Sequence, residues 1–442
     1  MMDTYFVTGA KPLCGSVSVH GSKNSVLPIL AATILTRGES VIHNCPALSD
    51  VFAMANILEC LGCRVHWEAG TMTVDATDLA DYKIPDCLMQ EMRSSVLFLG
   101  PLLARTGEAM MGCPGGCALG PRPIDLHIRA LKRLGAGVMD ENGRLVCRAR
   151  RLFGHRIMLD FPSVGATENA MLAACGAQGN TIICNAAREP EIVDLQGFLR
   201  SMGARIWGGG GSTIFVEGGM PLHPGEYTVM PDRIVAATYL SAVASAKGEA
   251  EIVGADARTV APVIAALAEA GCHIRSTKNR IWIRNKTLLR GIRPIYTAPH
   301  PGFPTDAQPM LMAALAGGIG RTVFVENIFT NRYSHVEGLC RMGASIHVNG
   351  REAEVEGALF LQGTALEARD LRGGAALVIA ALGAQGESQI SGLQFIDRGY
   401  ENLHGQLNQL GAQIVRSGQQ DTSEDSGLLE ETLVEALAAG GE

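Results

Sequence analysis

Two thiols, an arginine and an aspartate stand among glycines and three prolines in the stretch Gly112-Cys-Pro-Gly-Gly-Cys-Ala-Leu-Gly-Pro-Arg-Pro-Ile-Asp-Leu-His127. Proline has no N–H for a ladder and glycine is costly to fix in regular structure, so this stretch reads as a loop. The chemistry open to it is that of a lid over an anion. The Arg122 guanidinium suits a phosphate or carboxylate, and a thiol such as Cys117 becomes reactive beside cations. Cys113 reads as a strand-end core residue, with a redox partner of Cys117 as the alternative.

A second set of charged residues recurs along the chain. It comprises Ser22-Lys23-Asn24, Met92-Arg93-Ser94, Ser163-Val164-Gly165, Asp232-Arg233, Thr305-Asp306 and Asp370-Leu371-Arg372. Each opens an Ala/Leu-rich apolar run, which places it at a helix N-terminus. Ser, Asp and Asn there are ordinary caps. Lys23, Arg93, Arg233 and Arg372 are not explained that way, because a cation at a helix N-terminus opposes the helix dipole. Cations recurring at that place point to bound anions. Further charges follow the strands, in Arg188-Glu-Pro-Glu191, Asn331-Arg332 and Asp397-Arg398.

The elements that position these residues form an internal repeat. The pattern Leu-x-x-apolar-Gly-(Ala/Cys)-x-(Val/Ile) begins at Leu58, Leu131, Leu199, Leu267, Leu339 and Leu407, with its glycines at 62, 135, 203, 271, 343 and 411. It reads as a helix stopped by a glycine C-cap and followed by a strand. In phase with it, apolar helices end near Gly38, Gly107, Gly179, Gly248, Gly320 and Gly386. Each unit of about 70 residues is thus helix, strand, helix, strand, with a hairpin strand such as Arg280–Arg284 added. Between the two glycine landmarks the second unit has 28 residues against 23 to 25 in the others, and the surplus lies in Gly112–His127. Insertions of this kind fall on a binding face. Without further help the pattern predicts an anion-binding cleft between two domains of three units, holding a phosphorylated ligand, with Cys117 on a mobile lid.

The totals agree. A chain of 442 residues exceeds a single core, and 47% apolar content supports two. After Arg416 come seven acidic residues and no base, and the rest of the chain is balanced, which excludes the basic footprint of a nucleic-acid binder. No apolar run approaches the roughly 18 residues that span a bilayer, and the first residues lack a signal-peptide pattern, so a cytoplasmic protein is expected. The twelve cysteines are then expected to be reduced, with Cys175 and Cys340 as small core residues and Cys60-x-x-Cys63 as two packed thiols.

The sequence resembles the enolpyruvyl transferase family. The resemblance is carried by Gly21-Ser-Lys-Asn-Ser25, Pro114–His127, Ser163-Val-Gly-Ala-Thr167, Asn185–Asp194, Pro231-Asp-Arg233, Thr297–Asp306 and Asp397-Arg-Gly-Tyr-Glu401. It implies an α/β fold of two inside-out α/β barrels, with six repeats of about 70 residues, three per domain. Residues 22–229, with the catalytic loop 112–127, would form one domain. Residues 1–21 and 230–418 would form the other, and the acidic tail 419–442 is expected to be disordered. The implied reaction moves the enolpyruvyl group of phosphoenolpyruvate to the 3′-hydroxyl of UDP-N-acetylglucosamine by addition and elimination of phosphate. No metal or cofactor is implied, nor nucleic acid or membrane insertion, and the oligomeric state is left open.

By position, the resemblance gives Lys23, Arg122 and Arg398 the phosphate and carboxylate of phosphoenolpyruvate. It makes Cys117 the acid toward the methylene carbon and Asp306 the base near the sugar hydroxyl. Asn24, Arg93, Arg122, Pro123, Ile124, Asp125, Leu126, Ser163, Val164, Gly165 and Ile328 would contact the sugar nucleotide, with Asp370 and Arg372 completing the cleft. Two rivals stand beside this reading. A transferase acting on shikimate-3-phosphate shares fold and donor, but that branch does not use a loop cysteine. An inactive sugar-nucleotide-binding paralogue would have no chemical reason to keep Lys23, Cys117, Asp306 and Arg398 together.

Overall fold

All six glycines of the repeated pattern adopt left-handed backbone, with φ from 89° at Gly411 to 113° at Gly271. Each ends an outer helix and turns the chain into a strand two residues later, as from Ser49–Cys60 into Arg64–Glu68 or from Leu403–Gln409 into Gln413–Ser417. A side chain would resist that φ, which is why glycine stands there. This computed structural model describes residues 3–112 and 123–418, apart from the side chains of Gln90, Glu91 and Arg93. Cys113, Cys117, Arg122 and the tail 419–442 lie outside the described residues.

Six further helices carry the apolar runs: Lys23–Ala32, Leu99–Thr106, Val164–Gly176, Arg233–Ser245, Gln308–Ala316 and Leu371–Gly383. Most of their residues are buried whichever side of the helix they occupy. A helix apolar all round has no face to offer water, so it belongs in the interior. The helices Arg233–Ser245, Gln308–Ala316 and Leu371–Gly383 pack on one another, and Leu99–Thr106 packs on Val164–Gly176.

Among the described residues, six four-stranded sheets accompany these helices. In each, a short edge strand runs parallel to the strand that follows the inner helix, and two more strands add antiparallel. Three strands are exchanged over long sequence distances. Cys14–Ser18 is the edge of the sheet of Glu249–Val253, and Glu226–Thr228 is the edge of the sheet of Glu39–His43. Thr4–Thr8 lies between Glu387–Ser391 and Gln413–Ser417. The buried apolar residues accordingly form two clusters. One runs from Val26 to Val229, and the other joins Tyr5–Val19 to Ile234–Ile414.

Two cysteine expectations are overturned, Cys340 as a core residue and Cys60 as a packed thiol, since Cys60 ends its outer helix exposed. Cys175 is buried in its inner helix, but Cys340 is exposed. Its neighbour Leu339 takes the core position of the short helix Val336–Arg341, and the next residue on a helix points about 100° away. Cys60 is exposed whereas Cys63 is buried, where desolvation pushes its thiol up to about 12. The ten described cysteines are free thiols.

Candidate active site

The helices Lys23–Ala32 and Arg233–Ser245 belong to different cores, and a single side chain joins their starts. Asp232 Oδ1 accepts the N–H of Ile234 at 2.7 Å and of Val235 at 3.1 Å, capping its own helix. Its Oδ2 accepts the N–H of Lys23 at 3.1 Å. Two of the expected helix starts, at Lys23 and at Asp232-Arg233, are thereby drawn to the junction between the two halves.

Lys23 and Arg398 meet on one carboxylate. Asp50 Oδ2 lies 2.7 Å from Lys23 Nζ, and Asp50 Oδ1 accepts from Arg398 Nε at 2.8 Å. Lys23 and Asp50 are both buried, their side chains 9% and 6% exposed. Burial lowers the Lys23 ammonium from its usual range against the pull of Asp50, and Arg398 and Arg372 lower it further. Burial alone would raise Asp50, but Lys23 and Arg398 together hold it below the ordinary carboxylate value. Two cations from opposite halves are thus held near each other by one internal anion.

A second group surrounds Asp306. Its Oδ1 lies 2.7 Å from Arg332 Nη2, and its Oδ2 is 3.4 Å from both Nε and Nη2 of Arg372. Both arginines are buried, while the Asp306 side chain keeps 28% exposure, so the carboxylate is the face this group presents. Arg332 also donates to the Thr305 carbonyl at 3.0 Å, and the Arg372 guanidinium lies over the Tyr400 ring at 5.5 Å. Asp370 caps the helix that carries Arg372 by accepting from the N–H of Arg372 and Gly373, and it also accepts from Ser334 Oγ.

A third group crosses the junction at Arg233, whose Nε donates to Glu191 Oε1 at 2.9 Å. Nearby, Glu189 Oε1 accepts the N–H of His300 from the other half at 3.1 Å. The cations at three helix starts, Lys23, Arg233 and Arg372, are therefore each matched by a carboxylate from another element.

The expected sugar-nucleotide segments 122–126, described from Pro123, and 163–165 are brought near each other through His127, which follows the first. Ser163 Oγ caps Val164–Gly176 by accepting from Ala166 N–H at 3.4 Å. Gly165 faces His127, where a Cβ would come within 3.0 Å of Cε1, so the glycine leaves room for the imidazole. Asn169 Nδ2 donates to the Val96 carbonyl at 2.8 Å and lies 2.9 Å from His127 Nδ1, fixing that ring. Pro123 and Ile124 lead into Asp125–Arg133, where Leu126 is half-buried. Asp125 is turned to Arg129, whose guanidinium lowers the carboxyl below its usual range. Asn24 follows Lys23 and is half-buried, and Arg93 opens the 3-10 helix Arg93–Phe98. Ile328 is half-buried in a loop shaped by its own N–H, which donates to Glu326 Oε1 at 2.8 Å.

Asp50 is a site residue that reading the motifs one at a time misses. A signal for it exists in the repeat: Asp50, Glu191, Arg332 and Arg398 each stand twelve residues after a landmark glycine, at Gly38, Gly179, Gly320 and Gly386. All four make the charged contacts described above.

The family model of EPSP synthase (3-phosphoshikimate 1-carboxyvinyltransferase) matches residues 7–407. UDP-N-acetylglucosamine 1-carboxyvinyltransferase 2 of Caldanaerobacter subterraneus subsp. tengcongensis is 50% identical over 415 residues, which cover 94% of this chain and all of that protein. UDP-N-acetylglucosamine 1-carboxyvinyltransferase 1 of Symbiobacterium thermophilum is 46% identical, covering 94% of this chain and 95% of its own length. Among solved structures, the enolpyruvyl transferase NikO from Streptomyces tendae superposes with a TM-score of 0.85 at 24% identity, covering 95% of this chain and all of that one. EPSP synthase from Acinetobacter baumannii gives 0.72 at 20% identity with the same coverage. At those identities the two structures speak for the fold.

Proposed function

Because the chain belongs to the EPSP synthase family of enolpyruvyl transferases, we propose that it moves the enolpyruvyl group of phosphoenolpyruvate to the 3′-hydroxyl of UDP-N-acetylglucosamine. Phosphate is released, and the product is the first committed one of peptidoglycan synthesis. The acceptor is argued from the relatives at 46% and 50% identity that carry that activity in their names. The observation that carries the donor is the meeting of Lys23 and Arg398 on Asp50, because a phosphate can take over two cations that one carboxylate now holds.

In this reading the two cores are the two domains, 22–229 and 1–21 with 230–418, and the reaction takes place where they meet. Asp306 takes the proton of the 3′-hydroxyl as its oxygen bonds to C2 of phosphoenolpyruvate, while the Cys117 thiol delivers a proton to C3. A proton of the new C3 methyl then passes back to the Cys117 thiolate, the C2–C3 double bond re-forms, and the C2–O bond to phosphate breaks, the phosphate leaving as the Asp306 carboxyl gives up its proton. Lys23, Arg122 and Arg398 carry the charge of the departing phosphate. Asn24, Arg93, Pro123 to Leu126, Ser163 to Gly165 and Ile328 hold the sugar nucleotide, and Asp370 and Arg372 keep Asp306 in place. The cytoplasm is the proposed compartment, since both substrates are charged metabolites, and no described helix is long and apolar enough to cross a membrane.

Phosphate release decides the matter. It is expected when phosphoenolpyruvate and UDP-N-acetylglucosamine are supplied together, and absent with either alone. No release with both would remove the enzyme reading, and release with shikimate-3-phosphate instead would reassign the acceptor.

A further inference from the structure

Glu168 sits in the inner helix Val164–Gly176 and is 3% exposed. Its Oε1 has no hydrogen-bond partner, and neither does Oε2 of Glu191, which is equally buried. Glu191 uses its other oxygen for Arg233, across the junction of the two halves. Both oxygens of Glu189 are occupied, one by the N–H of His300 and one by the N–H of Arg188. The Thr167 hydroxyl accepts the Ala187 N–H at 3.0 Å, which sets the start of the inner helix against the segment leading to Glu189 and Glu191, so the three carboxylates share this region with one buried guanidinium and two buried oxygens are left over. Two ionised carboxylates cannot satisfy each other, whereas an acid and a carboxylate can.

We propose that Glu168 is a positioning residue that stays a neutral acid, donates its carboxyl O–H to Glu191, and so holds Glu191 on Arg233 at the junction. One proton then satisfies both leftover oxygens. The surroundings favour it: burial raises the Glu168 carboxyl well above its usual range, and the charges of Glu191 and Glu189 raise it further. Among the described residues, the charges acting on Glu168 are those of the two glutamates, while Arg233 of the other half pairs with Glu191, Asp232 raises Glu191 further, and His300 of that half donates its N–H to Glu189. His300 is lowered by burial and by Arg233, so it adds no compensating charge. Arg233 follows Asp232, the residue that takes the Lys23 N–H, so the acid–carboxylate pair is two contacts from the phosphate-binding lysine.

Two measurements test this on the full-length protein. In infrared spectra at pH 7, the parent minus Glu168→Gln difference should show the C=O band of a protonated carboxyl. Asp194, also raised by burial, is held by Ser25, Tyr227 and Met230 in both proteins and cancels. The kinetic arm rests on the enolpyruvyl-transfer reading. Glu168→Leu should lower kcat/KM at pH 7 by roughly tenfold, while Glu168→Gln, which keeps a donor, recovers most of that loss. The Gln variant should also fall less than the parent at alkaline pH, because its amide does not ionise. Absence of the infrared band overturns the proposal, as do equal losses in the Leu and Gln variants. A parent that releases no phosphate refutes the transfer reading and leaves the infrared result to decide Glu168.

Discussion

Arg398 reaches across the junction of the two halves to Asp50, Nε to Oδ1 at 2.8 Å and Nη2 to Oδ2 at 3.3 Å. The same carboxylate holds Lys23, so one buried anion balances two cations whose elements are otherwise unrelated. Removing one member of a buried pair leaves its partner uncompensated, which is far costlier than losing an exposed ion pair. Asp50→Asn is expected to destabilise the protein by about 3 kcal/mol, read from urea unfolding at pH 7. Inorganic phosphate, by supplying the missing negative charge, should stabilise the variant more than the parent. Equal stability of variant and parent would mean that Asp50 does not set the charge balance.

His335 gives a second handle on stability. Its ring is buried, and burial pushes it down to about 4 although Asp370 and a backbone hydrogen bond with Arg332 pull the other way. The unfolded chain takes up this proton near 6.5. Between those values the unfolded state binds a proton that the native state refuses, so stability falls as pH drops from about 6.5 to about 4, by roughly 3 kcal/mol in all. Asp50 acts elsewhere: its lowered carboxyl contributes fully above about 3.9 and loses its effect below that, as pH falls through the folded value. Urea midpoints between pH 4 and 7 should therefore slope in the parent and flatten in His335→Leu. An unchanged slope would assign the acid sensitivity to another group.

The repeat was legible because it rests on a local rule. A helix that must stop and turn into a strand needs a left-handed residue, and glycine supplies it at Gly62, Gly135, Gly203, Gly271, Gly343 and Gly411 without help from the rest of the fold. The long apolar runs could likewise be recognised as helices from composition, while their inward packing was an implication of the family resemblance. Partners were not legible in the same way. Lys23 and Arg233 looked like cations awaiting an external anion, whereas the fold brings Asp50 and Glu191 to them. The Arg233–Glu191 pair depends on how the two halves meet, and the Lys23–Asp50 pair on how the helices Lys23–Ala32 and Ser49–Cys60 pack, neither of which a segment states by itself. Cys340 failed for a smaller reason. One residue's offset on a short outer helix reverses its side, and an apolar context does not fix that offset.

The proposed role of Cys117 can be checked against four internal controls. Cys14, Cys60, Cys87 and Cys340 are exposed thiols, and Cys60 is raised, chiefly by partial burial. A reagent that simply follows exposure would modify these as well. An epoxide phosphonate, guided to the cations of the cleft and opened by an activated thiol, should leave one adduct, on Cys117. Prior addition of phosphoenolpyruvate should suppress it. Peptide mass spectrometry that finds the adduct on Cys113, or spread over the exposed cysteines, would remove Cys117 from the mechanism.

Asp306 is the residue at which structure and chemistry are hardest to separate, because it balances two buried arginines while its side chain stays 28% exposed. Asp306→Asn keeps the shape and one oxygen to accept from Arg332 or Arg372, but an amide cannot take a proton from the acceptor hydroxyl. If Asp306 is the base, kcat should fall by roughly 10²- to 10⁴-fold, with the calorimetric affinity for UDP-N-acetylglucosamine little changed. Arg372→Lys removes the guanidinium stacked over Tyr400 and weakens the hold on Asp306 while leaving the carboxylate present. Its loss should appear as a smaller fall in kcat, because the base remains but is held less firmly. An Asp306→Asn enzyme whose kcat stays within about threefold of the parent would reduce Asp306 to a counter-ion. The proton of the 3′-hydroxyl would then have to leave by another route.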